Sequence, residues 1–368
     1  MRILLTHKAD LSFSPPVISS LLILSDLGHE LHLMTEGLTP YWSEELNRRG
    51  ISVHVVPNRW RGKFGLLGKF LAYRNFKHEF YRLCSTLFPR GDEGLVWVEG
   101  AYTIVALGTR LQRHRYILQI QELHENSRMQ LRAIGRVIHD AECVFMPEYN
   151  RGVLYQCWYK LKRRPVVLPN KPYFILSNAQ LEQLREKYRD LLEVFLREKV
   201  ILYQGHIHSE RDISPFVRAI DKMPGYRLVL LGRDHGMLKD YQAISSKIIH
   251  IDFIPAPDYL VFTSLCHIGI VCYAADTLNT AYCAPNKIYE YSAFGRPMLG
   301  NDIPGLKIVE QQGAGVLVDE TNMDEIVQAI QKISNEYERY SEDALRFFSS
   351  QDNQKIITEV INRITNKK

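Results

Sequence analysis

Short apolar runs recur along the whole chain, and segments with helical periodicity separate them. In the first half the runs are RILLTH, HELHLM, ISVHVV, LVWVEG, YILQIQ, CVFMP and VVLPN. In the second half they are VILYQG, RLVLLG, IIHIDFI, IGIVCY, RPMLG and GVLVD. Most are continuously apolar rather than alternating, the pattern of strands buried on both faces. Strands that alternate with helices predict βαβ units and parallel sheets. The rhythm breaks between Asn170 and Lys199, in a polar, helical stretch that precedes a fresh strand-turn-helix. The linker is placed there. Residues 1–171 and 172–349 then form two doubly wound α/β domains. The amphipathic tail NQKIITEVINRI (about 350–368) has an apolar face that suits packing on either domain, a return to the first included. In TNMDEIVQAI, Asn322 is expected as an N-cap with Glu325 three residues on.

At 368 residues the chain exceeds the size at which one core keeps growing, which agrees with two domains. The apolar fraction of 46% and charged fraction of 24% describe an ordinary globular protein and exclude disorder as the default. The six cysteines are scattered, without a CxxC pair or a His/Cys cluster, so they are expected as reduced thiols in a cytoplasmic protein with no metal site. No stretch has the length of a membrane span, and the opening run RILLTH is too short for a signal h-region and has no cleavage site, so no leader is expected. Gly-x-Gly-x-x-Gly, the Walker lysine motif and an Asp-x-Asp pair are all absent.

Two stretches carry chemistry. In ILYQGHIHSERDISPFVRAI a buried strand ends at Gly205, where the backbone can approach a ligand, and Arg211 follows in the loop. An arginine on a connecting loop is ordinarily just solvated. In APNKIYEYSAFGRPMLGNDIPG, Pro285 suits the first helical position, and the amides of Asn286, Lys287 and Ile288 would then point outward toward an anion. Lys287 adds charge there. Glu290, three residues on, can accept from ribose hydroxyls, and Gly295 closes the helix. A surface ion pair between Lys287 and Glu290 is the ordinary alternative.

With these stretches in order, the segment from Val200 to Ala329 resembles the C-terminal domain of GT-B glycosyltransferases, closest to family 4. PNKIYEY followed by Gly, Pro and Asp-x-Pro-Gly is the most specific match. The first half resembles the family's acceptor domain more weakly, through LSDLGHELHLMT, QELHE and VVLPN. The resemblance implies a GT-B fold, two Rossmann-like domains facing a central cleft. It implies a hexosyl transfer from a nucleotide-diphosphate sugar, UDP- or GDP-linked, in bacterial surface polysaccharide synthesis, with retention of configuration and no metal or other cofactor.

It also implies roles by position. The family's two diphosphate cations fall on His206 and Arg211. The first position has lost its charge, and Lys287 is expected to supply it. Of the family's two glutamates, the ribose one is Glu290, while the other falls on Tyr282 and leaves the sugar identity open. Backbone groups at Phe253 and Ile254, and at Gly232 and Arg233, are expected near the base. Tyr273, in HIGIVCY, belongs to the same donor set. His124 in ELHEN matches a histidine at the donor sugar. His206 and His208 have the spacing of a metal pair but lack an acidic third ligand.

Residues Asn58–Arg90 carry eight Lys/Arg against one acidic residue, Glu79, with aromatics interleaved. Arg59, Trp60, Arg61, Lys63, Lys69, Arg74 and Lys77 form a patch that suits either an anionic membrane surface with a lipid-linked or other glycan acceptor, or a scaffold helix with a wetted basic face. No nucleic-acid motif accompanies it. The loop HKADLSFSPP lacks the family's Gly-Gly pair, so acceptor choice is not implied. Two rival readings stand beside the transferase: a GT-B nucleotide-sugar epimerase, and a degenerate GT-B protein that serves as partner subunit of another transferase.

Overall fold

The computed structural model describes residues 1–60, 62–89, 94–173 and 175–366. Every apolar run named above forms a strand. They are β1 Arg2–Asp10, β2 Glu30–Gly37, β3 Ser52–Val55, β4 Leu95–Glu99, β5 Tyr116–Gln119, β6 Cys143–Met146 and β7 Val166–Val167, then β8 Lys199–Gln204, β9 Tyr226–Leu231, β10 Ile248–Ile251, β11 Ile268–Val271, β12 Met298–Asn301 and β13 Gly315–Val318. The chain divides into two compact units, Met1–Tyr173 with Asp352–Lys368, and Phe174–Gln351.

The N-terminal unit holds a seven-stranded sheet in the order β3-β2-β1-β4-β5-β6-β7, with parallel pairing throughout. β4, LVWVE, is buried at every position, as its unbroken apolar run requires of a central strand. The tail helix Asn353–Thr365 returns to this unit. Asn353 Nδ2 donates to the Pro169 carbonyl at 2.8 Å, and Arg115 reaches the Ile364 carbonyl at 2.8 Å.

The C-terminal unit holds a six-stranded parallel sheet in the order β10-β9-β8-β11-β12-β13. Strand order reverses between β8 and β11. Crevices of this kind, outside the carboxyl ends of the strands at a reversal, are where open α/β sheets bind ligands. The late helix Met323–Asn335 starts as expected: Asn322 Oδ1 accepts from the Glu325 amide at 3.3 Å. The Glu325 carboxylate reaches back past the cap to the Asp319 amide.

Among the described residues no helix is long and apolar enough to cross a membrane. No disulfide forms: Cys157 is exposed and the other five cysteines are buried thiols.

Candidate functional site

Beside the switch point of the C-terminal unit the chain continues from β8 and its neighbour β9 as two loops that stay paired. The Gly205 amide donates to Leu231 O, Ile207 N to Arg233 O, and His235 N to Ile207 O, at 2.8 to 3.0 Å. Both turning residues are glycines with positive φ, +129° at Gly205 and +145° at Gly232. A Cβ on Gly232 would stand 2.0 Å from the Gly205 carbonyl oxygen. Gly232→Ala is therefore expected to destabilise this unit by about 3 kcal/mol or more, because both the conformation and the space are denied to it. A urea melt of the variant checks this.

The helix Lys287–Ala293 meets these loops with its first turn. Its N-cap is Asn286, whose carbonyl accepts from Tyr289 N and Glu290 N at 3.0 Å. Pro285 thus stands one residue before the cap and not at the first helical position, a correction to the sequence reading. The residue before the cap tolerates proline for the same reason, since its missing N–H lies outside the helix. The stop is as expected. Gly295, at φ +61°, donates to Ser292 O, and Arg296 donates to Tyr291 O, which makes a Schellman closure.

Lys287 is buried, at 8% exposure, yet among the described residues its ammonium has no hydrogen-bond partner. It lies 4.4 Å from the Tyr203 ring centre and 5.8 Å from that of Tyr273. A Cβ on Gly205 would fall 3.1 Å from this Nζ and 3.8 Å from an Arg211 guanidinium nitrogen, so both cations border one small volume. Arg211, at the end of the short turn Ser209–Arg211, lies 4.9 Å over the Tyr273 ring. Asn301, fully buried at the end of β12, fixes Tyr273: its amide oxygen accepts from Tyr273 N and its NH2 donates to Tyr273 O. Burial, reinforced by the Arg211 charge, lowers the Lys287 pKa to about 7. The ion pair with Glu290 that a surface helix would form is not made.

Glu290 is buried beside it and held by the protein. Its Oε1 accepts from the Tyr259 hydroxyl at 2.6 Å and its Oε2 from Gln204 Nε2 at 2.5 Å. Gln204 Oε1 in turn accepts from Thr263 Oγ1 at 2.7 Å. Each carboxylate oxygen keeps a second lone pair for a ligand hydroxyl. Burial raises the Glu290 pKa, and the Tyr259 hydrogen bond opposes the rise. Gln204, Tyr259 and Thr263 escaped the sequence reading. They are polar residues in apolar surroundings that meet Glu290 only through the fold.

Around this centre, Ile288 packs into the core of the unit. Tyr282 caps the one-turn helix Leu278–Ala281. The Asp-x-Pro-Gly turn lies directly against Tyr282, since a Cβ on Gly305 would stand 2.8 Å from its carbonyl carbon. On the other side Arg233 stacks its guanidinium 4.6 Å over the Phe253 ring, which is 42% exposed. Ile254 follows, half-buried. His206 is exposed, with Nδ1 2.9 Å from His235 Nε2. Among the described residues no group of three His, Cys, Asp or Glu side chains has metal-holding geometry.

His124 belongs to the N-terminal unit, in the loop after β5. Its backbone is left-handed, φ +61°, which is rare for a residue with a side chain and recurs at functional positions. Burial lowers its pKa, and the neighbouring Glu122 opposes the shift. The adjacent Arg151 is buried and ion-paired to Glu122 at 3.1 Å.

The basic stretch divides along the helix Gly65–Leu87. Phe76, Phe80 and Leu83 pack into the N-terminal core, and Ala72 is buried. The start of the helix does not: Phe64, Leu66, Leu67 and Phe70 are 70%, 83%, 59% and 61% exposed. Arg59, Lys63, Lys69 and Arg74 are exposed around them, and Trp60 and Lys77 are half-buried. Arg61 lies outside the described residues.

Two parallel sheets of seven and six strands, each reversing order once, define the GT-B fold of glycosyltransferases. Residues 198–336, within the C-terminal unit, match the sequence profile of the family described as Glycosyl transferases group 1. Among solved structures the chain is similar to Anabaena Alr3699/HepE in complex with UDP, at 13% identity and TM-score 0.72, covering all of both chains. It is also similar to a glycosyltransferase from Rickettsia africae, at 15% identity and TM-score 0.71, covering 100% of this chain and 99% of that one. Sucrose-phosphate synthase from Thermosynechococcus elongatus gives 16% identity and TM-score 0.67, over 100% of this chain and 98% of that one. No curated protein sequence matches the chain.

Proposed function

We propose that this protein transfers a hexosyl group from a nucleoside diphosphate sugar to a glycan or lipid-linked acceptor at an anionic membrane surface, in surface polysaccharide synthesis. The observation that carries the donor half is Lys287, a buried ammonium without a hydrogen-bond partner beside Arg211 at the switch point. Two cations held together in a partly desolvated spot are costly until an anion joins them. A diphosphate meets both at once, and Glu290 lies one helical turn from Lys287, suited to ribose hydroxyls. Phe253, with Arg233 over it, offers a stacking face for the base. His124 is assigned to substrate contact. UDP in the related Anabaena structure supports this class of donor, and UDP and GDP are the expected carriers.

In this reading the bond between the anomeric carbon and the phosphate oxygen breaks, and the acceptor oxygen bonds to that carbon on the same face. The acceptor proton passes to the departing phosphate. Arg211 and Lys287 stabilise the charge that develops there, the preorganised electrostatics that commonly dominate catalysis, and carry out the task that a bound cation performs elsewhere. The test is NMR of the product formed from a donor of known anomeric configuration. The retained anomer is expected, and an inverted product overturns the same-face step.

The acceptor half rests on the protruding start of the helix Gly65–Leu87. Phe64, Leu66, Leu67 and Phe70 match the apolar depth of a lipid interface, and the surrounding basic residues match anionic headgroups. The protein is expected to sediment with phosphatidylglycerol vesicles and not with phosphatidylcholine vesicles. Leu66→Ser/Leu67→Ser/Phe70→Ser is expected to cut that binding at least tenfold with an unchanged melting temperature, because the exposed positions contribute little to the fold. Equal binding by the triple variant assigns the patch to a wetted scaffold face.

A further inference from the structure

The donor reading leaves His235 without a role, and the structure places it against His206, the residue that follows Gly205. The loops after β8 and β9 are joined by backbone hydrogen bonds, the last of them from the His235 amide to Ile207 O. Its Nε2 lies 2.9 Å from His206 Nδ1, and the rings are 5.0 Å apart. His208 packs its ring on the other side at 5.7 Å. A nitrogen-to-nitrogen contact of that length needs one proton between two imidazoles. Two imidazolium rings would have no lone pair to share.

Among the described residues, the charged groups acting on His206 are His235, Arg211, Arg233 and Lys287, and all are bases. The described carboxylates on the same loops are engaged elsewhere. Asp234 accepts from the amides of Gly236, Met237 and Leu238, and Asp212 accepts from Ser214 and Tyr241. Nothing among the groups acting on it stabilises a protonated pair until an anion arrives.

We propose that His206 and His235 form the second wall of the diphosphate site and take up a proton when a nucleoside diphosphate sugar binds. The inference rests on the donor reading and names its linked proton and a further binding residue. It also explains how a site with histidine at position 206 still recruits enough positive charge. Burial and the neighbouring bases hold His206 below its ordinary range, and Lys287 is lowered for the same reasons. Each group therefore has a proton to gain when the anion arrives. A fully linked proton tightens binding up to tenfold for each pH unit lowered.

Isothermal titration of the full chain with UDP-glucose, GDP-mannose and ADP-glucose separates the contributions. These diphosphate diesters keep a fixed charge near neutral pH, so any proton exchanged belongs to the protein. Titrations run from about pH 6 to pH 8, in buffers of unlike ionisation enthalpy. Wild type is expected to bind one donor about tenfold more tightly at the lower pH, with net proton uptake. Lys287→Arg removes the lysine's share because arginine stays charged, and it is expected to retain part of the uptake. Lys287→Arg/His206→Asn/His235→Asn is expected to retain none. Uptake that survives replacement of both histidines, or that Lys287→Arg alone abolishes, overturns the pair's role. Donor binding without pH dependence overturns this inference and leaves the donor reading standing. No binding of any donor overturns both.

Discussion

Replacing Lys287 by methionine is expected to make the unliganded protein more stable and to cut its activity by orders of magnitude. The side chain is buried with a charge that no hydrogen bond satisfies. Methionine fills the same volume among Tyr203, Tyr273 and Gly205 without that charge. The gain is on the order of 1 kcal/mol, a few degrees in Tm. Its pH dependence has a definite sign. The folded pKa of about 7 lies below the ordinary 10.5. Between those values the unfolded chain binds more protons, so wild-type stability contributed by this group rises with pH across that window. The advantage of Lys287→Met is accordingly largest below about pH 7 and shrinks toward pH 10. The loss in transfer rate is expected at about 100- to 1,000-fold, the usual cost of removing one donor that faces developing charge. Denaturant melts over pH together with donor turnover check both halves. A variant less stable than wild type at pH 6 contradicts the account of Lys287 as a strained, unsatisfied charge.

Glu290 is expected to behave in the opposite way. Glu290→Ala removes the acceptor from both the Tyr259 hydroxyl and the Gln204 amide in a buried network that also includes Thr263. Leaving those donors unpaired and opening a cavity costs about 3 to 4 kcal/mol. Glu290→Gln keeps an oxygen for Tyr259 but turns an NH2 toward the NH2 of Gln204, at a cost of about 1 kcal/mol. Both variants are expected to weaken nucleotide binding at least tenfold. Only the alanine variant loses much stability. Urea melts and nucleotide titrations on the two variants check this, and unchanged nucleotide affinity in Glu290→Gln removes the ribose role.

The strands were legible because parallel strands covered on both faces must be apolar at nearly every position. The runs from RILLTH to GVLVD announce that directly. Gly295 and Asn322 were legible because caps obey local rules. Lys287, Arg211 and Glu290 were legible as a set only through the resemblance of PNKIYEY and its flanks to a known family. What the sequence hid is the state of those residues. A lysine followed by a glutamate three residues later looks like a solvated pair. Its burial follows from strands far away in sequence, which bring Tyr203, Gly205 and Tyr273 around it. Gln204 is 86 residues from Glu290 and Tyr259 is 31, so no local pattern joins them. His235 was hidden in the same way, since its contact with His206 spans 29 residues. Pro285 was misplaced by one position because proline is tolerated both at the first helical residue and just before the cap.

The central claim is that the C-terminal unit holds a nucleoside diphosphate through Lys287, Arg211 and Glu290. A thermal shift series with UDP, GDP, ADP, CMP and dTDP, on wild type, Lys287→Met and Glu290→Gln, tests it most directly. A ligand at about one hundred times its Kd adds about 2.7 kcal/mol, a shift of several degrees. The account predicts that one diphosphate stabilises wild type by that much and that both variants lose the shift. No shift of wild type with any nucleotide, or an undiminished shift in both variants, contradicts it.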